Sequence, residues 1–406
     1  MRTAVLCALV AIAVPSNARA QSIPISEAEA LARLSPDIPR LRAIRAAIDV
    51  ARADALAAAR WPNPRLTFDR ESAAGVTENM TMIAQPLPIT GRRGLEIEAA
   101  STLVEASANR SEDATRRARA DLRLAFAQLV AAQAREQELT TSRDRLQELA
   151  AVLAKREAAG DAAGFDRLRA EREVLDAEAD RSLATSERAR AQATVASFFK
   201  EAVVSARLVA IARPSAPATI PSIDALVERA ETARGDLLAL RKEVDAARLS
   251  GRAADRRWVP EPEVVAGTKS STAGGGDLGS VFTVHASIPL FDRGKPEQAL
   301  ALARASQAEA RIEAFRLTLR ADITALRTTV LERRDAADRY RAAAVHSAGE
   351  IERIAQVSYD AGERSILELL DAFRTGSSAR IRQAALDLAV RQSEIELEFA
   401  TGWEIQ

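Results

Sequence analysis

The sequence predicts a mainly α-helical protein with a small β part, built as a tandem duplication whose halves each end in a long antiparallel helical hairpin. Three observations predict this class: a composition rich in Ala, Arg, Glu and Leu, two long stretches almost free of Pro and Gly, and similar segments repeated about 200 residues apart. Apolar residues make up 47% of the 406 residues but aromatic residues only 4%. This favours helices packed through small side chains over a large aromatic core.

Charge and composition exclude several classes of function. The 57 basic residues are balanced by 57 acidic ones, whereas a nucleic-acid-binding protein usually has a basic excess, so we expect no nucleic-acid partner. The Gly274–Gly276 run lacks the Lys and the following helix of a phosphate loop. His285 and His346 are the only histidines, and neither belongs to a Ser-His-Asp arrangement. We therefore expect no enzymatic activity and no cofactor.

The N-terminus reads as a signal peptide over residues 1–20. Arg2 supplies the basic start, an apolar run follows, and Ala18-Arg19-Ala20 fits a cleavage site. The alternative, a first transmembrane helix, needs about 20 apolar residues, and this run is shorter. Cleavage would remove Cys7, the one cysteine, so neither a disulfide nor a lipid anchor is expected.

Three pairs of segments recur in the same order and define the duplication. The first pair surrounds Trp61 and Trp258. The second contains Pro86-Leu87-Pro88 and Ile288-Pro289-Leu290, and the third ends at Gly160 and Gly362. The expected units are residues 21–215, with strands at about 64–87 and a hairpin at about 92–200, and residues 216–406, with strands at about 262–288 and a hairpin at about 294–401.

Both long helices are predicted by the absence of helix breakers. No Pro or Gly occurs between Gly94 and Gly160, and only Gly349 interrupts the second stretch after Pro296. Each helix would be about 100 Å long. Apolar residues at three- and four-residue spacing form a coiled-coil face in the first helix. These residues are Leu122, Phe126, Leu129, Leu146, Leu149 and Leu153, together with Gln133.

The four predicted strands raise the question of a membrane. Phe282, Val284 and Ile288 alternate with more polar residues, as in the wall of an outer-membrane barrel. A small soluble sheet packed on the helices is the alternative. Four strands cannot close a barrel, so a membrane-spanning arrangement needs several chains, and three chains would supply twelve strands.

These features together resemble the TolC-type outer-membrane efflux proteins. The resemblance rests on the element order and on Trp61-Pro-Asn-Pro, Gln85-Pro-Leu-Pro-Ile-Thr-Gly-Arg-Arg, Ile288-Pro-Leu-Phe-Asp-Arg-Gly and the segment from Tyr359 to Ala372. The Leu-Pro-Ile-Thr-Gly-Arg-Arg segment is most similar to the CzcC-like heavy-metal branch. The resemblance implies a homotrimer with a 12-stranded transmembrane β-barrel in outer-membrane lipid and a trimeric α-barrel in the periplasm.

The resemblance also implies partners and a passive role. The helical tip would contact a periplasmic adaptor (membrane fusion) protein, which links it to an inner-membrane RND pump. The channel would be an exit duct for solutes, heavy-metal cations among them. Two alternatives stay open: an outer-membrane channel for type I secretion or multidrug efflux, and a periplasmic coiled-coil adaptor or scaffold.

The resemblance assigns residues at the tip. Asp166, Tyr359 and Arg364 would form a periplasmic gate through charge-assisted hydrogen bonds. Glu368 and Asp371, three residues apart on the returning helix, would form an acidic constriction ring in the trimer. Gly160 and Gly362 would make the tip turns. Spacing alone would equally well describe Glu368 and Asp371 as solvated helix charges.

No metal site is expected from the sequence. After Met1, the candidate soft ligands are Met80 and Met82, and no spacing matches a zinc or copper site. His285 is expected to face the lumen from a strand, and His346 to lie on a helix surface.

Overall fold

The computed structural model describes residues 22–160, 164–200, 205–212 and 219–403. The predicted signal peptide at 1–20 and the predicted boundary between residues 215 and 216 lie outside these ranges. Nine α-helices are described: α1 Glu27–Ala32, α2 Pro39–Ala58, α3 Arg92–Ala158, α4 Gly164–Ala196, α5 Ile223–Ala233, α6 Gly235–Ala254, α7 Lys295–Tyr340, α8 His346–Asp360 and α9 Ile366–Thr401. The described strands are β1 Ile23–Ser26, β2 Arg65–Ala73, β3 Val76–Pro86, β4 Leu208–Ile211, β5 Pro262–Ser271 and β6 Asp277–Ala286.

Helix α3 runs for 67 residues without interruption. It begins after Gly91, whose φ of 76° is the left-handed conformation that glycine tolerates best. The predicted coiled-coil face is buried, with Leu122, Leu129 and Leu153 at 0–1% exposure. Burial along the whole length explains why so long a helix can persist, because most helix stability in proteins comes from packing rather than propensity.

The second long helix is interrupted at a place that the sequence did not predict. A continuous helix was predicted here, but a π-helical turn at residues 341–345 separates α7 from α8. Gly349 lies inside α8, because a single Gly costs a helix only about 1 kcal/mol. Pro296 lies in the first turn of α7, as predicted.

The long strands form one four-stranded antiparallel sheet in the order β2-β3-β5-β6. Its register places Met82 of β3 opposite Thr67 of β2 and Gly267 of β5. Gly267 in turn lies opposite Val281 of β6. Each half contributes one hairpin, and β3–β5 pairing joins them, so β2 and β6 are the two outer strands.

The helices continue this order. Next to the sheet, α2 packs on α3, α3 on α6 and α6 on α7. Farther along, α3 packs on α4 and α9, and α9 packs on α7 and α8. The result is a wall four helices wide, in which α3 and the α7–α8 helix run through both levels. No helix among the described residues is both long enough and apolar enough to span a lipid bilayer.

Two short strands that the sequence analysis missed lie beside the middle of the wall. Strands β1 and β4 pair in parallel, with Ile23 opposite Leu208. The Gln133 amide donates to the Ala210 carbonyl and accepts from the Ala210 N–H, while Gln192 donates to the Leu208 carbonyl. Four-residue strands give too short an alternation to be recognised in a sequence.

Candidate functional site

The end of the wall far from the sheet consists of two chain reversals. Gly160 follows α3 with a φ of 84°, and Gly362 follows α8 with a φ of 75°. Each glycine N–H donates three residues back, to Glu157 and Tyr359 respectively. A residue with a Cβ would be strained at both positions. The predicted tip-turn glycines therefore have the backbone that the role requires, although residues 161–163 lie outside the described ranges.

A single apolar cluster holds the two reversals together. It combines Leu146, Leu149 and Leu153 of α3 with Ile366, Leu369 and Leu370 of α9. The tips of the two halves thus share one core, which is called the tip core below. Sequence patterns predicted the α3 side of this core, but the partners more than 200 residues away carried no signal of their own.

Tyr359 packs against the tip core. The guanidinium carbon of Arg156 lies 5.8 Å from the Tyr359 ring centroid, within the range of a cation–π contact. This contact joins the end of α3 to the end of α8.

The other two predicted gate residues are separate within one chain. Arg364 donates to the Glu368 carboxylate at 3.1 Å, and both side chains are about half exposed. Asp166 lies in the first turn of α4, where a carboxylate is favoured by the helix dipole. Arg364 therefore pairs with Glu368 rather than with Asp166 in this chain, and the gate assignment stays a prediction.

Glu368 has a structural role that the sequence analysis did not assign. The Ser365 N–H donates to the Glu368 carboxylate at 3.0 Å, which closes a capping box at the start of α9. Asp371 lies three residues later and is exposed. The two carboxylates project from the first two turns of α9, beside the chain reversal, and their role in a ring stays a prediction.

A partly buried charge node, absent from the sequence analysis, connects α8 to the wall. Arg380 of α9 donates to Glu352 at 2.7 Å and pairs with Glu138 of α3 at 2.8 Å. Arg145 of α3 also donates to Glu352, at 3.3 Å. Burial lowers the pKa of Arg380, but the hydrogen bonds to Glu352 and Glu138 outweigh it, so the pKa is raised. The Glu352 side chain is 11% exposed.

Gly376 makes room for this node. A Cβ at that position would collide with the Glu352 carboxylate, so a larger residue would displace Glu352 from Arg380. A second cross-wall pair lies nearby: Arg374 of α9 donates to Glu173 of α4 at 2.9 Å. The signal in the sequence was one Gly inside a long helix, which alone does not reveal its partner.

The four-stranded sheet has two chemically distinct faces. The apolar face is defined here by the cross-strand row Leu66–Ile83–Ala266–Phe282 and its neighbours Phe68 and Val284. Leu66, Ile83 and Phe282 are 53–73% exposed. The polar face is defined by Asp69, Glu78, Lys269, Thr283 and His285, and includes Met80 and Met82. Large apolar side chains therefore lie on an exposed face of the sheet that no described residue covers.

A chain of charges ties the N-terminal segment to both halves. Glu27 accepts from Arg123 of α3 at 2.5 Å and from Arg391 of α9 at 3.0 Å. Arg391 also donates to Glu394, at 3.4 Å. Burial raises the pKa of Glu27, but Arg391 and Arg123 outweigh it and hold the pKa below its usual 4.5.

No group of three or more His, Cys, Asp and Glu side chains suited to a metal ion occurs in the described part of the chain. His346 is exposed on α8 beside Glu350, and His285 lies on the polar face opposite Glu263.

Comparison with known proteins identifies the family to which this fold belongs. The family model described as "Outer membrane efflux protein" matches residues 226–403. The nickel and cobalt resistance protein CnrC of Cupriavidus metallidurans is 30% identical over 292 residues, covering 69% of this chain and 67% of that protein. The chain belongs to the outer membrane efflux protein family, and it is therefore located in the outer membrane with its helices extending into the periplasm.

Two further comparisons agree. The nickel-cobalt-cadmium resistance protein NccC of Alcaligenes xylosoxydans xylosoxydans is 28% identical over 69% of this chain. That alignment spans 64% of NccC, slightly under two thirds of its length. The outer-membrane channel OprN has a TM-score of 0.75 at 19% identity, with 93% of this chain and 89% of that chain covered. The last likeness establishes the fold and no more.

Proposed function

We propose that the protein is the outer-membrane channel of a tripartite efflux system, a passive duct through which solutes leave the cell. Three chains form a 12-stranded β-barrel in the membrane and an α-barrel in the periplasm. A periplasmic adaptor protein and an inner-membrane RND pump deliver the solute at the tip. Family membership supports the role of a duct, and the structure of the single chain supports the assembly as follows.

The apolar face is the observation that carries the proposal. Its central row has no polar residue, and its large side chains are exposed. In water this arrangement would cost about 25 cal/mol for each Å² of apolar surface left uncovered. Against lipid the same face is favourable, and the polar face then lines an aqueous interior.

Unlike edges support closure by identical chains. The sheet ends in β2 on one side and β6 on the other, and strands inside a membrane require every edge to be paired. The helical wall likewise ends in α4 on one side and α8 on the other. Joining two different edges of successive copies is a heterologous contact, which gives a closed ring when the rotation between copies closes.

Exposed apolar residues occur along both helical edges. On α4 they are Phe165, Leu168, Leu175 and Leu183, each 58–64% exposed. On α8 they are Ile351, Ile354 and Val357, each 47–59% exposed. Seven such side chains on the two edges are what a coiled-coil seam between neighbouring chains needs. They support closing α4 of one chain on α8 of the next.

The tip supports a gate between chains. Asp166 lies in the first turn of α4 and Tyr359 in the last turn of α8, so each lies on an edge that the ring brings to a neighbouring chain. Arg364, just before α9, pairs with Glu368 in its first turn, and such an exposed ion pair is worth about 0–1 kcal/mol. An adaptor that docks at the tip could replace such weak ion pairs by its own contacts at little free-energy cost. Weak ion pairs therefore suit a gate that must open.

The cargo is proposed to include heavy-metal cations. The names of NccC and CnrC refer to resistance to nickel, cobalt and cadmium. An acidic ring of Glu368 and Asp371 in a trimer would favour cations over anions at the tip.

A pair of adjacent substitutions tests the proposal. Val284 is on the apolar face and His285 is on the polar face. Val284→Arg should cost about 2–4 kcal/mol per chain near the bilayer midplane, whereas His285→Arg places the same side chain in the aqueous interior. We expect only His285→Arg to yield a membrane-inserted trimer at normal levels, as measured by outer-membrane fractionation and native electrophoresis. Equal insertion of both variants would overturn the barrel assignment.

A further inference from the structure

The methionines of this chain are unusually placed. The sequence has three: Met1 and the pair Met80-Thr81-Met82. Both members of the pair lie in β3, and residues two apart in a strand point to the same side. The pair therefore presents two thioethers about 7 Å apart at their Cα atoms along one strand.

Both thioethers lie on the polar face. Met80 is opposite Asp69 of β2 and Lys269 of β5. Both methionines are partly exposed, while the large exposed apolar side chains of the sheet lie on the other face. A methionine whose task was contact with lipid or a core would belong to the apolar face or to the helices.

The residue opposite Met82 has no side chain. Met82 pairs with Gly267 of β5, where a Cβ would collide with the Thr81 carbonyl oxygen and lie 3.0 Å from the Met82 Cγ. The close approach of the β3 backbone therefore requires glycine at this position. On the polar face, the Met82 side chain consequently has no side chain directly opposite it on β5.

The charges around the pair favour a cation. The Asp69 carboxylate lies on the same face, directly across from Met80. Lys269 is paired with Glu78 at 2.7 Å, so its positive charge is compensated. Thioethers are neutral, soft ligands that select soft ions such as Cu(I), whereas carboxylate and water suit hard ions.

We propose that Met80 and Met82 form a two-thioether site for a soft monovalent cation, Cu(I) or Ag(I), on the inner face of the barrel. The inner position rests on the proposed channel function. Two neutral ligands on one strand give a weak site, and a duct requires binding strong enough for entry but weak enough for release. No oxidation or bond exchange other than replacement of bound water is involved.

The low methionine content makes the site directly observable. The full-length trimer in detergent, with ¹³C-methyl-labelled Met, should give one methyl signal each for Met80 and Met82, apart from any from Met1. Titration with silver nitrate in chloride-free buffer should shift both signals together and saturate. Zinc nitrate should shift neither. Absence of any shift with Ag⁺, or equal shifts with Zn²⁺, would overturn the site.

Single substitutions separate a shared site from two accidental ones. Met80→Leu and Met82→Leu conserve volume, so folding should be retained. Each should weaken the Ag⁺ response of the remaining methionine by more than about tenfold, since even changes outside the ligand shell cost about 10–100-fold in metal affinity. Unchanged affinity at the remaining methionine would overturn the two-thioether site.

This experiment fails independently of the channel proposal. Silver binding in detergent needs only the folded sheet, whereas the Val284→Arg and His285→Arg pair tests membrane insertion. If the protein binds Ag⁺ but does not insert into the membrane, the two-thioether site stands and its location inside a channel is wrong. If the protein inserts but does not bind Ag⁺, the channel proposal stands and the two-thioether site is wrong.

Discussion

The two long helices of this protein have nearly the same length but different support. Helix α3 is continuous for 67 residues and buries fifteen side chains, large aliphatic residues among them. Its counterpart is divided by a π-helical turn, and the part beyond the turn, α8, buries Ala348 and Ala355. The two halves thus have a long helix of similar length in common, but the packing of that helix differs between them.

The difference predicts where the tip can move. Regions with few buried apolar contacts open at low free-energy cost, and π-helical turns are frequent at functional sites. Helix α8 combines both features, and the charge node at Glu352 attaches it to α3 and α9. We therefore expect the first half to provide the rigid side of the tip, and α8 of the second half to be the yielding side, which opens at lower free-energy cost.

The largest expected effect comes from the rigid side. Leu153 is 1% exposed in the tip core, so Leu153→Ala should destabilise the tip by about 2–5 kcal/mol through lost burial and a cavity. Hydrogen exchange should show faster opening of α3 and α9 together. Exposed Val152, at 44%, gives the control: Val152→Ala should change exchange little.

The next largest effect tests the yielding side. Glu352→Ala leaves Arg380 and Arg145 without this carboxylate, and hydrogen bonds to charged groups contribute about 1.5–3 kcal/mol. Amide hydrogen exchange should become faster in α8, but not in the part of α3 between the tip core and the sheet. Glu350→Ala removes an exposed carboxylate from the same helix and should have no such effect. Faster exchange spread evenly over both halves would contradict the asymmetry.

The sequence predicted the packing of the rigid side better than that of the yielding side. A continuous apolar stripe such as Leu146, Leu149 and Leu153 is visible as periodicity, and the structure buries it. The Glu352 node joins residues from three helices, and no local pattern marks such a contact. The position of the π-helical turn was also hidden, because its Ala-rich sequence is a good α-helix former.

The same limit applies to the tip. Gly160 and Gly362 could be predicted because a left-handed turn after a helix favours one residue type. The pairing of Arg364 with Glu368 could not be predicted, because the free energies of alternative exposed ion pairs differ by little. Contacts between chains depend on a neighbour that a single sequence does not specify.

A third prediction concerns the ion pairs of Glu27 with Arg123 of α3 and Arg391 of α9. The pKa of Glu27 is lowered by Arg391 and Arg123 despite burial, so its stabilising contribution is complete above its usual 4.5 and is lost as pH falls through the lower folded-state value. Glu27→Gln should lower the Tm at neutral pH, and the difference from wild type should shrink as the pH falls below about 4.5. Exposed Asp54 gives the control, since Asp54→Asn should not change the Tm at either pH.

A fourth, smaller effect concerns the proposed gate. Tyr359→Phe combined with Arg364→Ser removes one hydroxyl and one ion pair from the yielding side, each worth about 0–1 kcal/mol. In planar bilayers the double variant should show a higher single-channel conductance than wild type. Arg339→Ser removes an exposed ion pair on α7 and should leave conductance unchanged. If the Tyr359→Phe/Arg364→Ser variant has the same low conductance as the Arg339→Ser control, the assignment of Tyr359 and Arg364 to the gate is wrong.

The smallest structural effect, and the sharpest test of the asymmetry, concerns the acidic pair. Superposing Gly160 on Gly362 in the sequence places Glu368 opposite Asp166 and Asp371 opposite Arg169. The second half thus has two acids where the first half has an acid and a base. If the second half forms the narrowest part of the tip, Glu368 and Asp371 set the ion preference of the pore.

Glu368→Gln with Asp371→Asn removes both charges and keeps the capping box, because Gln serves at that position as well as Glu. Trimer assembly should therefore be unchanged, while the reversal potential across a salt gradient should show lower cation selectivity. The difference should fade at high salt, since the screening length decreases from about 10 Å at 0.1 M to about 3 Å at 1 M. Arg169→Gln in the first half should leave selectivity nearly unchanged. Equal reversal potentials in wild type and the double variant would place the constriction elsewhere on the helices, and an Arg169→Gln effect as large as that of the double variant would show that both halves line it equally.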